Sequence, residues 1–112
     1  MAFKAQGKLD EAISHYYQVL RIKPDHAPVH NNLGSIFLRQ GKLNKAIEHY
    51  RQALQINPNH MGAHNNIANA LSSQGKFDEA ISHYRRALQI QPGHAQTQRN
   101  LERALRLQQK AK

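Results

Sequence analysis

The chain has no cysteine and no tryptophan among its 112 residues, and only 6% of it is aromatic. Without cysteine it can form no disulfide framework, no thiolate zinc site and no cysteine nucleophile. Long apolar runs are missing too. No stretch approaches the roughly 18 consecutive apolar residues of a membrane span, and the opening MAFKAQGKLD lacks the apolar core of a signal peptide. A membrane role is disfavoured and a cytoplasmic location is expected. Acidic residues are scarce: 7 Asp plus Glu stand against 16 Lys plus Arg, a formal charge of +9. Such a balance directs attention to acidic partners, peptide or nucleic acid.

What is present is a repeat. GKLDEAISHYYQVLRIKPDH (7–26), GKLNKAIEHYRQALQINPNH (41–60) and GKFDEAISHYRRALQIQPGH (75–94) recur at a fixed step, with Gly7, Gly41 and Gly75 in register and Pro24, Pro58 and Pro92 keeping the same interval. Apolar residues within each unit fall at helical spacing, as in Ala46, Ile47, Tyr50, Ala53 and Leu54, where a strand would alternate. Asp10, Asn44 and Asp78 are expected as helix N-caps, and the prolines end each helix. A second helix precedes the first in APVHNNLGSIFLRQ (27–40) and MGAHNNIANALSSQ (61–74), and the following glycine is expected to supply a left-handed turn between antiparallel helices.

Helix, turn, helix with Leu33, Gly34, Phe37, Ala46, Tyr50, Ala53 and Pro58, then Ile67, Ala68, Leu71, Ala80, Tyr84, Ala87 and Pro92, resembles the tetratricopeptide repeat (TPR) family. His30 and His64 stand where that family often has Trp. The resemblance implies an all-α solenoid of stacked antiparallel helix pairs, a superhelix with a concave inner surface. The expected division is an incomplete first repeat at 1–26, repeats at 27–60 and 61–94, and a capping helix with tail at 95–112. Phe3 falls in register with Phe37 and Leu71. Because roughly half of a first helix is absent, Ala12, Tyr16 and Val19 are expected to form an open apolar edge. One reading of the chain is therefore a structural unit that self-assembles into a homo-oligomer through that edge.

The eight histidines occupy three repeat-equivalent places: His15, His49 and His83; His26, His60 and His94; His30 and His64. Equivalents in stacked layers lie roughly 10 Å apart, too far to share an ion whose ligands approach to about 2 Å. No metal site and no cofactor are expected, and capping and packing roles are assigned instead. Catalysis finds no constellation either. Asp10/Glu11 and Asp78/Glu79 sit at helix starts, where the dipole favours negative charge. Ser14 and Ser82 each precede a histidine, but helix neighbours point about 100° apart, poor geometry for a nucleophile and its base. The expectation is a non-enzymatic protein.

The positions opposite the packing stripe define a groove. They include Asn31, Asn32, Ser35 and Arg39 in the second unit, Asn65, Asn66 and Asn69 in the third, and Arg99, Asn100, Arg103 and Arg106 in the cap. Asn32, Asn66 and Asn100 share one register, and an Asn amide offers a donor and an acceptor to any peptide backbone. A layer step of roughly 10 Å matches about three extended residues at roughly 3.3 Å each. The ladder is similar to that of the repeat array in O-linked N-acetylglucosamine transferases, and the resemblance implies that it holds extended polypeptides, here acidic segments favoured by the arginines and by Arg39 and Lys4. A family subclass that clamps chaperone-tail carboxylates uses a Lys and Arg constellation around such an Asn, and this chain has Asn31, Ser35 and Gln96 where the clamp would require basic or amide groups in combination, so that role is disfavoured. RNA binding ranks last, since the groove offers no aromatic for base stacking.

Overall fold

The computed structural model describes the backbone of residues 2–111 and the side chains of residues 7–111. The expectations placed on the side chains of Phe3 and Lys4 lie outside the described residues. Six helices follow one another: α1 (Ala2–Ile22), α2 (Ala27–Arg39), α3 (Leu43–Ile56), α4 (Met61–Ser73), α5 (Phe77–Ile90) and α6 (Ala95–Ala111). The architecture is an all-α TPR solenoid.

The helix ends explain the repeat. Gly41 (φ 76°) and Gly75 (φ 79°) adopt the left-handed conformation. Around the first, Lys42 N–H donates to Phe37 O at 2.8 Å and Gly41 N–H to Leu38 O at 3.0 Å; Lys76 N–H and Gly75 N–H repeat the pattern at 2.9 Å each. This paired closure is a Schellman motif, which an L-residue at the glycine would strain. Gly7 departs from the expectation: α1 runs through it as helix, without a positive φ.

The expected N-caps are also corrected. Lys42 and Lys76 occupy the cap positions of α3 and α5 and make no side-chain cap bond, because the turn is so tight that the residue closing it is already the cap of the next helix. Asn44 and Asp78 lie inside the helices. Together with Asp10 they accept hydrogen bonds from the following layer: Gln40 donates to Asp10 at 3.5 Å, Gln74 to Asn44 at 3.0 Å, and Gln108 to Asp78. Caps appear instead at His26, whose Nδ1 accepts from Val29 N–H at 3.3 Å, and at His60, which accepts from Ala63 N–H at 3.1 Å. His94 does the same for Thr97 at 3.2 Å.

Small residues let the helices approach. A Cβ added to Gly34 would lie 2.6 Å from the Tyr50 ring, so the ring rests directly on the α2 backbone. Ala68 holds the equivalent place beside Tyr84. Both tyrosines, together with Leu33, Ile67, Leu71 and the alanines at 46, 53, 80 and 87, are fully buried or nearly so. The backbones of α2 and α4, and of α4 and α6, come into contact. Among the described residues, those of α1 and α3, or α3 and α5, do not. The stack therefore closes on the side of α2, α4 and α6 and splays on the other. Its Cα radius of gyration is 14.8 Å, against about 13 Å for a compact domain of this length.

Candidate functional site

The inner, concave side is built by α2, α4 and α6, and the sequence-selected groove residues all lie on these three helices. Asn32, Arg39, Arg99, Arg103 and Arg106 are exposed, whereas Asn31, Ser35, Asn65, Asn66, Asn69 and Asn100 are partly buried. The difference arises because most of the amides bond across layers. Asn66 Nδ2 donates to Asn31 Oδ1 at 3.1 Å and Asn100 Nδ2 to Asn69 Oδ1 at 3.4 Å. Asn66 and Asn100 thus hold the preceding layer, whereas Asn32 is exposed. Each bond engages the amide nitrogen, leaving an oxygen with acceptor capacity for a ligand N–H.

A second tier supports the first. Tyr50 Oη bonds Ser35 Oγ at 3.0 Å, and Tyr84 Oη donates to Asn69 Oδ1. Burial raises the pKa of both tyrosines above the ordinary phenol value, which keeps them neutral donors. The hydroxyl of Thr97, fully buried, lies 3.1 Å from Asn65 Oδ1 and 2.7 Å from His94 Nδ1, two acceptors that share its one proton. Sequence reading missed these tyrosine and threonine contacts. The recurring Tyr16, Tyr50 and Tyr84 were visible, but they read as core.

Charge on this side is of one sign. Arg99, Arg103 and Arg106 are exposed on α6, and Arg39 ends α2. An ion pair on the outer side, Arg51 to Glu79 at 3.3 Å, joins α3 and α5, and among the described residues no carboxylate is given within ion-pairing distance of the groove arginines.

The histidines are brought together in a way the spacing did not disclose. His30 Nε2 lies 3.0 Å from Pro24 O, and His30 Nδ1 lies 3.2 Å from His49 Nδ1. A carbonyl only accepts, so His30 carries its proton on Nε2, and His49 Nδ1–H donates to the remaining lone pair. Tyr17 Oη then donates to His49 Nε2 at 3.2 Å. The next layer repeats the chain: His64 Nε2–H donates to Pro58 O at 2.7 Å, and His83 Nδ1–H to His64 Nδ1 at 3.0 Å. Burial, foremost, lowers the pKa values of His49, His64 and His83, the last to about 4. His30 and His64, which stand where the family often has Trp, are buried, and they fill the space with bonds as well as volume.

A cleft of about 640 Å³ opens on the outer side between α3 and α5. Its Arg86 is already engaged, donating to Asn59 Oδ1 at 3.0 Å and Gln89 Oε1 at 3.1 Å. No described helix is long and apolar enough to cross a membrane.

Comparison with known proteins agrees with the geometry. The family model for the tetratricopeptide repeat matches residues 27–60 and 62–94, and a second, described as TPR repeat, matches residues 2–41. The comparison with curated proteins gives no match. Among solved structures, the first TPR of Spaghetti (RPAP3), bound to the HSP90 peptide SRMEEVD, is similar at 25% identity and a TM-score of 0.86, over 94% of this chain and 83% of its own. Two matched repeats spanning most of the chain, glycine-closed helix pairs and a concave face of first helices give one conclusion: the chain belongs to the tetratricopeptide repeat family.

Proposed function

We propose that the chain is a non-enzymatic protein-interaction module that holds an extended, acidic polypeptide along α2, α4 and α6. The observation that carries this reading is the concave face itself, where exposed Arg39, Arg99, Arg103 and Arg106 flank a row of amides and no described carboxylate pairs with them. The amides of Asn32, Asn66 and Asn100 suit the ligand backbone, since the oxygen of each offers acceptor capacity whatever the side chains are. The arginines supply sign selectivity. The similar RPAP3 domain supports the reading by analogy: its peptide, SRMEEVD, carries three acidic side chains.

The test is a chemical-shift map of the labelled chain titrated with an acidic, unstructured dodecapeptide at about 0.05 M salt, where screening is weak. Perturbations should concentrate on Asn32, Asn66, Asn100 and the α6 arginines. Perturbations confined to the outer cleft between α3 and α5, or none at saturation, would contradict the proposal.

A further inference from the structure

Repeat-equivalent histidines lie a layer apart and cannot share an ion, but His30 and His49 are not equivalents. They stand on facing helices of one layer, α2 and α3, with their Nδ1 atoms 3.2 Å apart. Two ligand nitrogens on one tetrahedral ion, each at about 2.0–2.1 Å, are separated by about 3.3 Å. The pair already has the spacing of a two-histidine site. Its surroundings agree, since a ligating histidine donates its other ring N–H to a carbonyl or similar oxygen, which fixes ring and tautomer. His30 Nε2 does so now, 3.0 Å from Pro24 O, and its Nδ1 lone pair faces His49 Nδ1. On the far side of His49, Tyr17 Oη lies 3.2 Å from Nε2. Phe37 stacks on the same ring, with 5.5 Å between centroids, so both imidazoles are held in place before any ligand arrives.

We infer that His30 and His49 bind a late first-row divalent cation such as Zn²⁺ through their two Nδ1 atoms, with water filling the remaining positions. Neutral imidazole is a favoured ligand for such ions. The ion replaces the proton between the rings: His49 moves that proton from Nδ1 to Nε2, where Tyr17 Oη accepts it and turns its own proton to solvent. Water has access, since His49 is partly exposed and His30 borders a cleft of about 410 Å³. Among the described residues no group of three or more His, Cys, Asp or Glu is placed to hold a metal, so the site is an exchangeable one with two protein ligands. His64 and His83 repeat it in the next layer, with Nδ1 atoms 3.0 Å apart and His64 Nε2 2.7 Å from Pro58 O. Charge ranks the two pairs. Lys45 and Glu48 offset each other beside His49. In the next layer Arg51 is set against Glu79, and Arg86 adds further positive charge beside His64. The first pair is therefore the tighter site. No groove residue takes part, and the inference does not rest on peptide binding there.

The probe is Zn²⁺ alone, titrated into the tag-free, isotope-labelled full chain at neutral pH in a buffer that does not bind metal, with the imidazole nitrogens followed by NMR. Saturable shifts of Nδ1 in His30 and His49, with a dissociation constant below about 100 μM, are expected. His49→Gln keeps an N–H donor to His30 but removes a ligand. With helicity checked by circular dichroism, it should weaken binding at this pair at least about tenfold, since even outer partners of a ligand are worth about 10–100-fold. His15→Gln removes an exposed histidine outside both pairs and should leave the affinity unchanged. No saturation by about 1 mM Zn²⁺, coordination through Nε2, undiminished binding in His49→Gln, loss of binding in His15→Gln, or tighter binding at His64 and His83 than here would each overturn the inference.

Discussion

At the scale of single residues, the histidine pairs make the fold sensitive to acid. His83 is neutral in the folded protein down to about pH 4, whereas in the unfolded chain it takes up a proton near the ordinary value of about 6.5. Between these values the unfolded state binds more protons, so stability falls as pH falls through the window and levels off below it. His49 and His64 act in the same direction. Thermal melts at pH 7.5 and 4.5 should show a lower midpoint in acid. His49→Gln with His83→Gln should reduce the difference, because an amide N–H can still donate to His30 and His64 but does not titrate. An unchanged pH response in the double variant would remove the histidines from the explanation. Gly34 is the second residue-scale test. Gly34→Val drives a side chain into the Tyr50 ring and should cost about 1–3 kcal/mol. Gly93→Ala, with nothing within 4 Å of the added carbon, should stay within about 0.5 kcal/mol. Urea midpoints at constant m-value decide between the two.

At the scale of elements, α6 is the least anchored of the helices that follow α1. It buries Thr97 and Ala104, while α4 buries Ala63, His64, Ile67, Ala68, Ala70 and Leu71. Thr97 is therefore the principal polar latch of α6 on α4. Thr97→Val keeps the shape but leaves Asn65 Oδ1 without its donor, and should cost about 1–3 kcal/mol. Amide exchange should accelerate in α6 and not in α2 or α3; uniform acceleration would mean that the latch belongs to the global core. The elements themselves were legible in the sequence, since Gly41, Gly75 and the prolines punctuate a helical period. Their caps were not. Asn44 and Asp78 have capping chemistry, yet the Schellman closure hands the cap position to Lys42 and Lys76. Their bonds go to Gln74 and Gln108 one layer on, a pairing that no local spacing rule supplies. The same holds for His30 with His49 and His64 with His83, whose rings meet only because antiparallel helices fold back on each other.

At the scale of the whole molecule, the open curvature places α2, α4 and α6 on one concave face and leaves the splayed helices outside. The groove positions were read as the phase opposite the packing stripe, and they fall on α2, α4 and α6. The interlayer bonds from Asn66 to Asn31 and from Asn100 to Asn69 were not legible, because they depend on the stacking itself. Asn32, exposed and at the open end of the row, is the position where truncation reports on a ligand without removing a bond between layers. Asn32→Ala should weaken peptide affinity by about twofold to tenfold, the equivalent of one net hydrogen bond, with the melting temperature unchanged. Calorimetric titration checks the first and a thermal scan the second. The claim that joins all three scales is that the concave side selects acidic, extended polypeptide through Arg99, Arg103 and Arg106. The most direct measurement compares the affinities of an acidic and a neutral peptide of equal length at about 0.05 M and about 0.5 M salt, for the natural chain and for the Arg99→Gln, Arg103→Gln, Arg106→Gln variant. The acidic peptide should bind more tightly at low salt, lose that advantage at high salt, and lose it at both in the variant. Equal affinity of the two peptides for the natural chain at low salt would contradict the account.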